Sequence, residues 1–87
     1  VLAFEPHPSN FEFLSANVAL NGLQNVRLEQ LGLSDAPGKL CVQGSDVPGN
    51  WSVASHGAHE FEIDLVRLDD YLARCPVSRI DLVKMDI

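Results

Sequence analysis

The chain opens on an apolar run, Val1-Leu2-Ala3-Phe4, which stops at a single acid, Glu5, and two prolines on either side of His7. A short run that is apolar at every position is the pattern of a strand buried on both faces, as in a parallel sheet. Ser9 offers a side-chain oxygen for a helix start, and Glu12 three residues later completes a capping-box spacing, so the helix is expected to begin there. From that point to Asn21 the apolar period is helical. Phe11, Leu14 and Val18 fall on one stripe, and Phe13, Ala16 and Leu20 on a second, which suits a helix lying on a sheet and touching a neighbouring helix. Asn21-Gly22 supplies the stop, because glycine tolerates the left-handed cap conformation.

The next strand spans Asn25 to Leu33. Val26 and Leu28 alternate, but the pattern slips register before Leu31 and Leu33, which predicts a bulge or a strand end near Gln30. Strand, helix and strand in that order make a βαβ unit, with a right-handed crossover expected. Ser34 to Gly38 is turn chemistry. The middle of the chain is rich in β-like pieces: Lys39 to Gln43 and Trp51 to Ser55, separated by a loop containing GSDVPGN. Phe61, Ile63 and Leu65 then alternate with Glu62, Asp64 and Val66, as in a strand with one wet face. Asp69 or Asp70 can cap a brief helix through Tyr71, Leu72 and Arg74, and Ile80 to Ile87 (IDLVKMDI) has the density of a further core strand. With core-type strands at both ends, the chain reads as an internal piece of a longer α/β protein.

Composition narrows the function classes. At 87 residues, with 46% hydrophobic and 21% charged positions, there is material for one globular domain. A net charge of −6 with only six Lys and Arg argues against a nucleic-acid binder, which needs a basic patch. The apolar runs are too short to cross a bilayer, and no secretory signal is visible. Cys41 and Cys75 fit no metal-ligand spacing and no disulfide framework, so a reducing, cytoplasmic setting without a metal site is expected. His7, His56 and His59 read as loop residues, and Trp51 as packing.

Candidate chemistry sits at strand ends, where open α/β sheets bind ligands. Glu5 follows the first strand, Asp35 the second, and Asp86 stands near the end of the last. A carboxylate in the place of Glu5 matches the two vicinal hydroxyls of a ribose, and Asp35 can accept from an adenine amine. Lys84 and Asp86, two apart, would share a strand face. Asn50 and Ser52 lie in a glycine-containing loop that can line a pocket. An acid ending a strand serves a dinucleotide oxidoreductase as well, and a non-catalytic α/β scaffold is a further alternative.

The succession FEPHPSNFEFLSANVALNG, NVRLEQLGLSD, GNWS, LVRLDDYL and IDLVKMDI resembles the FkbM-type methyltransferases, which are class I S-adenosylmethionine-dependent enzymes. The resemblance covers essentially all 87 residues, and five segments in order at sensible spacing make it specific. It implies a partial Rossmann-like class I methyltransferase fold: central parallel strands, one crossover helix and a β-rich insertion. It implies that residues 1–87 lack the family's first strand with its glycine-rich loop, and its C-terminal strands. By resemblance Glu5, with Pro6 beside it, grips the ribose of S-adenosyl-L-methionine, and Ser34 and Asp35 lie near the adenine. Asp86 faces the reacting end and the acceptor, with Asn50, Ser52 and Lys84 lining the pocket. The implied reaction is O-methylation of a small molecule or glycan hydroxyl. On this reading the carboxyl groups of residues 5, 35 and 86 gather on one rim of a shared parallel sheet.

Overall fold

A computed structural model describes residues 1–44, 51–53 and 60–85, with the backbone alone described at 43, 44, 51–53 and 60. Along the chain the elements are β1 (Leu2–Phe4), α1 (Pro8–Leu20), β2 (Arg27–Glu29), β3 (Gly32–Leu33), β4 (Gly38–Gly44), β5 (Trp51–Val53), β6 (Glu60–Val66) and α2 (Leu68–Arg74). The expected βαβ unit is present. β1 and β2 pair in parallel, Leu2 opposite Arg27, Ala3 opposite Leu28 and Phe4 opposite Glu29. The ladder extends at both ends, where Arg27 N donates to Val1 O at 2.8 Å and Glu5 N to Glu29 O at 3.1 Å.

Helix α1 begins earlier than the capping-box spacing predicts. Its N-cap is His7, whose Nδ1 accepts from Ser9 N at 3.2 Å and Asn10 N at 3.4 Å. Ser9 therefore lies inside the first turn, and Glu12 closes no box. The physical reason is Pro8: with φ preset for a helix and no N–H to satisfy, it occupies the first helical position and makes the residue before it the cap. The other end is as expected. Gly22 has φ +62°, with Gly22 N donating to Ala19 O and Leu23 N to Val18 O, both at 3.1 Å, the paired bonds of a Schellman cap. The two apolar stripes part company: Phe11, Leu14 and Val18 are half-buried, whereas Phe13, Ala16 and Leu20 are exposed.

The register slip near Gln30 is a strand end. After Glu29 the chain leaves the β1–β2 pair, and β3 joins a second sheet ordered β3-β6-β4-β5. There β3 runs parallel to β6, while β4 is antiparallel to both β6 and β5. The parallel sheet expected to carry both Glu5 and Asp35 is thus divided, β1 and β3 falling in different sheets, and the β-rich middle forms a mixed, mostly antiparallel one. In β6 the alternation is realised: Ile63 is buried, Phe61 and Leu65 half-buried, and Glu62 and Asp64 exposed. On that wet face Lys39 Nζ lies 2.9 Å from Asp64 Oδ1 and 4.0 Å from Glu62 Oε2, surface pairs of small energetic weight.

Two contacts join the sheets. Gly32 of β3 is so tightly covered that a Cβ there would stand 2.8 Å from Leu65 Cδ2, 3.5 Å from Ile63 Cδ1 and 3.6 Å from Pro6 Cβ. The His7 ring meets Phe61 of β6 edge-on, with centroids 4.6 Å apart. Val42 and Ile63 are buried between these points, and Tyr71 of α2 packs edge-on against Phe4 of β1 at 5.0 Å.

Two further expectations are corrected. Helix α2 is preceded by Arg67, which makes no side-chain cap; Asp69 and Asp70 stand in the first turn, where their charge suits the positive end of the helix. Residues 80–85 form no strand and are exposed, Leu82 at 86% and Val83 at 58%. Apolar content is not enough for a strand; its backbone groups need a ladder, and no described strand lies beside this segment.

His7→Ala is expected to lower the unfolding free energy by about 1–3 kcal/mol, from the lost cap and ring contact together. His7→Asn should recover the cap share, so that urea midpoints fall in the order wild type, Asn, Ala; equal losses would remove the cap from the account. Gly32→Val should cost about 1–3 kcal/mol or more by overpacking, read from the same measurement.

Candidate functional site

The carboxyl end of β1 is where the candidate residues are best defined. Glu5 is half-buried, and its Oε1 accepts from His7 N at 3.0 Å. That bond holds the carboxylate at the strand end, while Oε2 makes no hydrogen bond among the described residues. Pro6 packs toward Gly32. Ser34 and Asp35 follow β3: Ser34 N donates to Val66 O at 2.9 Å, and Ser34 Oγ to Asp35 Oδ1 at 3.2 Å. Asp35 is exposed. Glu5 and Asp35 therefore end strands of different sheets, connected through the Pro6–Gly32 contact, and the expected single rim is replaced by this junction.

Lys84 is exposed in the segment without regular structure, so it shares no strand face with Asp86. Asp86 and Asn50 lie outside the described residues, as do His56 and His59. The backbone of Ser52 in β5 pairs with Gln43 of β4. Among the described residues no group of three metal-ligating side chains exists, and no helix is long and apolar enough to cross a membrane. Cys41 and Cys75 are free thiols.

His7 lies between β1 and α1, as a loop residue should, but it is 7% exposed and takes the cap role expected of Ser9; the neighbouring Pro8 was the signal for that role. Because Nδ1 accepts two backbone N–H groups, the ring is held as the tautomer with its proton on Nε2.

A second polar cluster stands at the opposite, amino end of the β1–β2 pair. An open cleft of about 400 Å³ is lined there by Val1, Leu2, Arg27, Cys75 and Pro76, among others. Arg27 Nη2 donates to Cys75 Sγ at 3.7 Å, Arg27 Nε is 3.6 Å from Glu29 Oε1, and the guanidinium carbon lies 6.0 Å from the centre of the Tyr71 ring. Tyr71 is 3% exposed, and its hydroxyl has no hydrogen-bond partner among the described residues. Burial raises its pKa; Glu29 and Cys75 add to the rise, and Arg27 opposes it. Arg27 is held more firmly protonated by Tyr71, Cys75 and Glu29. No motif announces this cluster, since β2 and α2 supply its members from positions far apart in the chain.

The parallel strand–helix–strand unit and the second, mixed sheet make the described residues a mixed α/β arrangement. The model of the methyltransferase FkbM domain matches residues 1–87, and the chain belongs to that family. Among curated proteins and solved structures no match is found. Family membership separates the readings that an acid-ended strand leaves open, in favour of a methyltransferase over a dinucleotide oxidoreductase.

The raised pKa of Tyr71 has a definite consequence. Its folded value lies above its unfolded one, so its contribution is intact below the ordinary tyrosine value and is lost as pH rises through the folded value. Stability is therefore expected to fall in the alkaline range, less steeply in Tyr71→Phe. Because Tyr71 is the sole tyrosine, phenolate absorbance reports it alone. A midpoint at or below the ordinary tyrosine value would contradict the burial argument.

Proposed function

We propose that the chain contributes to an S-adenosylmethionine-dependent methyltransferase of Rossmann-like architecture, acting on a hydroxyl of a small molecule or glycan. The observation that carries this reading is the half-buried Glu5 carboxylate at the end of β1. One oxygen is bonded to His7 N and the other is without a hydrogen bond among the described residues, within a chain of the FkbM family. This acceptor fits the cofactor's ribose, because the remaining oxygen of a fixed carboxylate suits sugar hydroxyl donors. Ser34 and Asp35 would accept from the adenine side, and Pro6 would wall the ribose.

The cofactor supplies an electrophilic methyl group on a sulfonium. The protein's part is positional: Glu5 orients, and the surrounding apolar residues exclude water, so that acceptor and methyl group align. A hydroxyl acceptor must also lose its proton, a role assigned here to Asp86 as general base. Asn50, Ser52 and Lys84 are proposed to line the acceptor side.

Calorimetric titration of the protein with S-adenosylmethionine tests the assignment. Glu5→Ala is expected to weaken binding about 10- to 100-fold, the loss of hydrogen bonds to a charged group. Glu5→Gln, which preserves an acceptor for His7 N, should separate the grip on the ribose from support of the turn. Unchanged affinity in a folded Glu5→Ala protein removes Glu5 from the ribose.

A further inference from the structure

The cluster at the amino end of the β1–β2 pair takes no part in the reaction proposed above. Cys75 follows the last turn of α2, with Cys75 N donating to Tyr71 O at 2.8 Å, so the two side chains stand one helical turn apart on the same face. The sulfur accepts from Arg27 Nη2 at 3.7 Å. It is half-exposed and lines the open cleft, which gives a small solute access. Behind it lies the Tyr71 hydroxyl, buried and without a hydrogen-bond partner among the described residues, with the thiol near enough to help raise its pKa. A buried donor left unpaired is costly, and a thiol is a weak acceptor for it. An oxygen carried on the sulfur would be a strong one.

We propose that Cys75 is an oxidation site, converted by hydrogen peroxide to a sulfenic acid whose oxygen is held between Arg27 and the Tyr71 hydroxyl. The Cys75 thiolate attacks one peroxide oxygen; an S–O bond forms as the O–O bond breaks. The departing hydroxide takes up a proton and leaves as water. Sulfur gives up two electrons and the peroxide receives them. Arg27 favours the step twice over, by placing positive charge beside the nucleophilic sulfur and by stabilising the negative charge that develops on the leaving oxygen. Cys41, exposed on β4, has no arginine on its sulfur among the described residues and serves as an internal control. A product oxygen bound to both Arg27 of β2 and Tyr71 of α2 would tie the helix to the sheet.

The test exposes the chain to hydrogen peroxide, traps sulfenic acid with a 1,3-cyclohexanedione probe, and maps the label by peptide mass. Cys75 is expected to label several-fold faster than Cys41, although Cys41 is the more exposed. Arg27→Gln should slow Cys75 labelling several-fold and leave Cys41 unchanged. Tyr71→Phe should leave the rate of oxidation intact and shorten the life of the sulfenic acid, seen as faster passage to the sulfinic form. Labelling of Cys41 as fast as Cys75 in the wild-type protein, which needs no variant to fold, overturns the proposal. So does an unchanged Cys75 rate in a folded Arg27→Gln protein.

Discussion

The turn from Glu5 to His7 is the constraint on which the rest of this structure depends. In three residues the chain must leave a half-buried strand and start a helix without leaving backbone donors unpaired. Glu5 accepts the N–H of His7, and His7 accepts the N–H groups of Ser9 and Asn10. The same imidazole rests edge-on against Phe61 of the other sheet. One short polar relay therefore sets the direction of α1, the orientation of the candidate ribose acceptor and one of the two joints between the sheets. Pro6 does comparable service on the apolar side, by filling the space that Gly32 leaves open.

That economy carries a functional corollary. A carboxylate whose oxygens were both free would be mobile and well hydrated, and hence a poor reader of ligand geometry. Anchoring one oxygen to a backbone N–H fixes the other at little entropic cost on binding. The function proposed for Glu5 and its structural task in the turn are thus two uses of one side chain. The amino end of the same strand pair has a different character. There Arg27, Tyr71 and Cys75 come together around an open cleft, at the far end of β1 from Glu5. The two ends of the pair are chemically independent, which allows oxidation at one to be considered apart from cofactor binding at the other.

Exposed apolar surface marks where this arrangement leaves its apolar groups uncovered. The second stripe of α1 and the segment from Ile80 to Met85 both present large side chains to water. Their composition matches that of core elements, yet the neighbours that would make them core are not among the described elements. Hydrophobicity states a demand for burial; it does not provide the partner that satisfies it.

What the sequence by itself determined is what near neighbours in the chain control. The first strand, the helical period to Asn21, the glycine cap at Gly22, the break near Gln30 and the alternation of β6 all follow from side-chain spacing and backbone preference over a few residues. The family pattern is legible for the same reason, since its motifs are short segments kept in order. Tertiary structure alone decided what depends on distant residues. It divided the strands between two sheets, set Phe61 against the His7 ring, and set Arg27 upon Cys75 and Tyr71. It also left residues 80–85 without a ladder, because a strand is defined by the backbone beside it, and no local pattern states which backbone that will be.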